Sequence, residues 1–92
     1  MVREWGTKTA KKLKQRLAEL HAANSLEDVR RLPAAKCHPL AGDRRGQVAV
    51  ALDHPRRLIV EPNHDPVPQR PDGGLDWGQV TSVLVVEVVD YH

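Results

Sequence analysis

The 92-residue chain has no phenylalanine, and its aromatic residues are Trp5, Trp77 and Tyr91 alone. That scarcity argues against recognition of RNA bases by stacking on sheet-borne aromatics. It also leaves an aliphatic core, in a domain small enough to bury only about 60–65% of the surface its unfolded chain exposes. Stability is then marginal, and support from a partner is expected. A single cysteine, Cys37, excludes an intrachain disulfide framework and a Cys-rich zinc cage, and points to a reducing compartment. No apolar stretch reaches the ~18 residues that a membrane span needs. The polar start, residues 1–6, leads straight into a lysine-rich segment, so a soluble, cytoplasmic protein without a membrane partner is expected. The length supports one domain over residues 1–92, without internal repeats.

Net charge is only +2, but it is unevenly placed. Residues 1–45 hold 11 Lys/Arg against 5 Asp/Glu, and residues 46–92 hold 3 against 7. A basic half opposing an acidic half suits a surface that meets a polyanion, although one charged helix gives the same count.

Ala10, Leu13, Leu17 and Leu20 recur at helical spacing, with Lys8, Lys11, Lys12 and Arg16 elsewhere around the turn, which predicts an amphipathic helix over residues 5–24. Ser25 reads as the N-cap of a short second helix that carries Glu27 and Asp28 at its positive end and stops before Pro33. The two helices form a hairpin. A short strand is expected around residues 36–40, followed by a tight Gly42-Asp43-Arg44-Arg45-Gly46 connection. Val48, Val50 and Leu52 then alternate with Gln47, Ala49 and Ala51, as in a strand; Asp53-His54-Pro55 turns the chain, and residues 57–60 return it. Residues 62–77, rich in proline and glycine, read as a long irregular loop, and such loops are usually functional or mobile. The near-continuous apolar run Val83, Leu84, Val85, Val86, Val88, Val89 predicts a central strand covered on both faces. The fold class is therefore α+β: an N-terminal helix hairpin packed on a twisted, mostly antiparallel four-stranded sheet.

None of the five histidines pairs at the helical spacing of a zinc site, so neither a metal nor another cofactor is expected. His21 and His64 read as solvent-facing or core-satisfied side chains. His38 stands before a Pro-Leu and a Gly-Asp-Arg-Arg-Gly turn, and Asp90-Tyr91-His92 follows the apolar strand. An imidazole with a pKa of about 6.5 can take or give a proton near neutrality, and Asp90 or Tyr91 can orient or supplement it. The blander alternative is a solvated polar tail. Arg44, Arg45, Arg56 and Arg57 cluster at the turn and at the start of the return strand, where guanidinium forks suit phosphate oxygens. Ordinary surface arginine is the alternative for Arg45 and Arg56.

Taken together, residues 13–22 (LKQRLAELHA), 32–47 (LPAAKCHPLAGDRRGQ), 54–62 (HPRRLIVEP), 65–77 (DPVPQRPDGGLDW) and 87–92 (EVVDYH) resemble the HigB-like, plasmid-maintenance killer branch of the RelE/ParE toxin superfamily. The likeness covers nearly the whole chain, and it is the combination of H-P-L-x-G-D-R with a terminal D-Y-H that is specific. The resemblance implies a type II toxin that cuts messenger RNA at the ribosome without a metal, by attack of a ribose 2′-hydroxyl on the adjacent phosphate. Such a reaction needs a base, an acid and cationic stabilisation of the transition state. By resemblance, His38, Asp90, Tyr91 and His92 take the acid/base positions and Arg57 the phosphate contact; Arg44 and Arg45, from their guanidinium chemistry and their place at the turn, are further candidate RNA contacts. The implied partners are the ribosome, messenger RNA and a HigA-like helix-turn-helix antitoxin, through which operator DNA would be bound.

Three departures from the pattern stand out. Relatives begin with a β-strand that is missing here, by truncation or loss, and its absence would leave an unpaired sheet edge. Ala41 replaces a frequent lysine, and Arg56 and Val48 stand where aromatics are common. Two other functions share this scaffold: a non-catalytic, ParE-like inhibitor, or a truncated toxin that only binds its antitoxin.

Overall fold

The computed structural model describes residues 2–53 and 55–90, and only the backbone of residues 2–5. The first helix, α1 (Val2–Ala22), is interrupted at Gly6, whose φ of 80° and ψ of 171° suit a residue without a Cβ. Beyond Gly6 the inward stripe is Thr9, Leu13, Arg16 and Leu20, at steps of four, three and four residues. This corrects the expected polar face: Arg16 is 2% exposed, whereas Leu17 is 39% exposed.

Arg16 can occupy the stripe because the sheet side supplies acceptors. Its Nε donates to the Ala51 carbonyl at 2.7 Å, and its Nη2 donates to the Ala34 carbonyl at 3.0 Å. Its Nη1 meets Glu19 Oε1 at 2.9 Å. A buried guanidinium without such partners would be prohibitively costly.

The second helix, α2 (Leu26–Arg30), completes the expected hairpin and buries Leu26 and Val29. Ser25 stands at the N-cap in an extended conformation, but its hydroxyl makes no capping bond. Asp28 fastens the approach to the helix, its Oδ2 accepting from the N–H of Asn24, the residue before the cap, at 3.0 Å. Arg30 lies 4.7 Å above the ring of Trp77, a residue buried in the core.

Four antiparallel strands follow in spatial order: β1 (His38–Pro39), β2 (Val48–Ala51), β3 (Arg56–Pro62) and β4 (Val83–Asp90). The architecture is α+β. The strand expected over residues 36–40 is only two residues long, and the Gly42–Arg44 segment of its connection is a 3₁₀ turn. At the β2–β3 turn, the Arg56 N–H donates to the Asp53 carbonyl at 2.8 Å; His54 lies outside the described residues.

β4 is an edge strand rather than a central one: among the described residues it pairs with β3 alone, and Leu84, Val85 and Val86 are 47, 54 and 39% exposed. Its apolar run has another cause. Glu87 opposes Ile59 while Val85 opposes Val60, so the strand gains one residue at Val86. This bulge switches the alternation, and Val83 and Val88, an odd number of residues apart, both pack on the core.

The core joins Leu26 and Val29 of α2 to Val48, Val50, Leu58 and Val60 of the sheet, with Cys37, Trp77 and Val80 closing one side. Within the expected loop, Gln69 and Leu75 form a bridge around a turn in which Asp72 accepts from the Gly74 N–H at 2.8 Å and from Arg70 at 2.7 Å. These bonds hold the Asp72 carboxyl below its ordinary range. Among the described residues, no helix is long and apolar enough to cross a membrane.

Arg16→Ala strands two carbonyls and is expected to destabilise the fold by about 2–4 kcal/mol in denaturant melts, with Arg16→Lys losing less. Burial pushes the Cys37 thiol up from 9.0 to about 12, partly offset by the nearby positive charge of Arg30. A raised folded pKa means that the unfolded thiol ionises first. Its contribution is therefore complete below about pH 9 and is lost as pH rises toward 12. Chemical denaturation from pH 8 to 10.5 should show a steeper alkaline decline in the parent protein than in Cys37→Ala; equal slopes would contradict the assignment.

Candidate functional site

Strand alternation determines which side chains can act together. Val48, Val50, Leu58 and Val60 point into the core, so Ala49, Ala51, Arg57 and Ile59 lie on the opposite face of the sheet. Pairing extends that face across all four strands. His38 opposes Ala49, Ala49 opposes Ile59, and Ile59 opposes Glu87, giving one continuous row. The adjacent row is Ala51, Arg57 and Val89. His38 and Arg57 therefore share a face, two strands or about 10 Å apart across the sheet.

His38 is exposed and held in one orientation. Lys36 adopts a left-handed conformation (φ 44°, ψ 43°) after the Pro33–Ala35 turn, with its carbonyl 2.9 Å from His38 Nδ1. A carbonyl only accepts, so Nδ1 carries the proton and donates it. In the neutral ring Nε2 then keeps its lone pair for another proton. Cys37, between these two residues, is buried, and a thiol pushed up to about 12 is no nucleophile near neutrality.

Arg44 reaches onto the same face from the turn before β2. Its Nη1 donates to Gln47 Oε1 at 3.0 Å, and its Nη2 donates to Glu87 Oε2 at 2.5 Å. Gln47 in turn donates from Nε2 to Glu61 Oε1 at 3.3 Å. Because β3 lies between β2 and β4, the Arg44–Glu87 link spans β3 and ends in the row that contains Ile59.

The remaining expected residues part company. Arg45 is exposed and lines a groove of about 290 Å³ with Pro39, Leu40, Gln69 and Leu75. Asp90 opposes Arg56, whose Nε lies 3.9 Å from Asp90 Oδ2 and whose Nη1 donates to Thr9 of α1 at 3.3 Å. Alternation thus places Asp90 on the helix side of the sheet, opposite the face that carries His38 and Arg57. Tyr91 and His92 lie outside the described residues. His64 Nε2 accepts from the Thr81 N–H at 3.1 Å, and His21 is exposed at the end of α1.

Glu87, Gln47 and Glu61 complete the face and were missed as site residues. A signal existed for Glu87, the one charged side chain within the apolar run of residues 83–89. Among the described residues, no three His, Cys, Asp or Glu side chains converge as a metal site would require. What the arrangement can do chemically is bind an anion through Arg44 and Arg57 and accept a proton at His38 Nε2. Comparison with known proteins adds no relative: no family model, curated protein or solved structure matches the chain.

Proposed function

We propose that this protein is a HigB-like toxin of a type II toxin-antitoxin system that cuts messenger RNA on the ribosome and is neutralised by a helix-turn-helix antitoxin. The observation that supports a nuclease best is the shared sheet face: one oriented histidine whose Nε2 has no hydrogen-bond partner among the described residues, and two arginines whose forks match phosphate oxygens.

In this reading His38 Nε2 takes the proton of a ribose 2′-hydroxyl as its oxygen attacks the adjacent phosphorus. The bond to the 5′-oxygen breaks, leaving a 2′,3′-cyclic phosphate and a 5′-hydroxyl that receives a proton. Arg57 and Arg44 neutralise the additional charge on the non-bridging oxygens. With His38 as the base, Tyr91 and His92, which the resemblance places at acid/base positions without dividing the roles, are left as candidates for the acid. Asp90, paired with Arg56, is assigned to anchoring the end of β4.

A second reading, non-catalytic inhibition by surface binding, is favoured by the position of Asp90 on the helix side and by the acidic partners on the cationic face. The two separate in a translation extract programmed with a defined messenger RNA. A nuclease yields discrete cleavage products, and His38→Ala lowers their rate of formation by about 10²–10⁴-fold. Arg57→Ala lowers it as well. Undiminished cleavage by His38→Ala would remove the imidazole from the mechanism, and inhibition without products would support the second reading.

A further inference from the structure

We infer that Glu87 is a resident stand-in for an RNA phosphate: its carboxylate holds Arg44 over the sheet face and is displaced when a phosphodiester arrives. The inference rests on the RNA-binding reading above and assigns Glu87 the role of setting affinity on that face.

Carboxylate and phosphate present comparable oxygens to a guanidinium fork, so the Glu87 oxygen 2.5 Å from Arg44 Nη2 marks a position that a phosphate oxygen can take. Arg44 need not lose its pose in the exchange. Gln47 Oε1 holds Nη1 separately at 3.0 Å, and Gln47 is itself anchored to Glu61. The guanidinium can change partners at one nitrogen while the other keeps it aimed.

The strength of the pair fits an exchangeable contact. Arg44 and Glu87 are 35 and 47% exposed, and exposed pairs shift an equilibrium by less than about tenfold. Arg16, 2% exposed and bound to two carbonyls besides Glu19, shows what a permanent arginine tie looks like in this chain. Location supplies the remaining argument. Glu87 stands in the row of His38, on the face where Arg57 also lies. There a carboxylate competes for the cation and repels an incoming phosphate, so removing its charge should tighten binding.

The test is fluorescence anisotropy of a labelled single-stranded RNA of about ten nucleotides at low salt, with Glu87→Gln, Arg44→Ala and the double variant. Glu87→Gln is expected to bind roughly three- to tenfold tighter, Arg44→Ala more weakly, and the double variant no more than about twofold tighter than Arg44→Ala. Glu87→Asp keeps the charge but shortens the reach to Arg44, and should fall between the parent and Glu87→Gln. An equal gain in both backgrounds, no gain from Glu87→Gln, or no RNA binding by any variant overturns the inference. The nuclease reading fails separately: a gain confined to the Arg44 background together with undiminished cleavage by His38→Ala would leave the exchange standing without it. Loss of cleavage in His38→Ala with an equal Glu87→Gln gain in both backgrounds would do the reverse.

Discussion

The buried guanidinium of Arg16 is the constraint on which the helix–sheet arrangement turns. With no phenylalanine, the core consists mainly of valine, leucine and alanine, whose contacts are too undirected to fix how one long helix lies on a small sheet. Arg16 adds direction by binding the carbonyls of Ala51, at the end of β2, and Ala34, in the turn before β1. Both anchors lead to the candidate face. Ala51 stands in the row of Arg57, and Ala34 lies two residues before Lys36, whose carbonyl orients His38. A charge buried on one side of the sheet thereby helps to position the candidate residues on the other.

The two faces also divide neighbouring charges between different tasks. Arg56 and Arg57 are adjacent in sequence, yet alternation sends Arg56 toward Thr9 and Asp90 and places Arg57 on the face of His38. Arg44 and Arg45 separate likewise, one joining the sheet network and the other the groove beside β1. Counting arginines along the chain could not make this distinction, because it depends on strand parity and on where a 3₁₀ turn ends.

Much of the architecture was legible in the sequence. Helical spacing marked α1, Ser25 and the acidic residues after it marked α2, and alternation from Gln47 to Leu52 marked β2. Arg16 was not legible as a buried residue, because its burial depends on carbonyls 18 and 35 residues away. In the candidate site, residue type and resemblance single out His38 and Arg57, and strand register puts them on one face. The place of Asp90 beside Tyr91 and His92 in sequence suggests a common site, but adjacency along the chain does not say on which face a strand residue lies.

The apolar run of β4 shows how one irregularity can mislead a pattern and still carry physical meaning. Valines on both parities suggest a strand buried on both faces, but the same sequence serves a bulged edge strand, since an inserted residue makes the core-facing parity change midway. The bulge joins two consequences. It gives the exposed edge a local distortion of the kind that hinders flat pairing with a further strand. It also falls at Val86, beside Glu87, the residue that opposes Ile59 and reaches Arg44. Edge geometry and the charge on the candidate face therefore meet within two residues, so a change that straightens this part of β4 would alter pairing and the setting of Arg44 together.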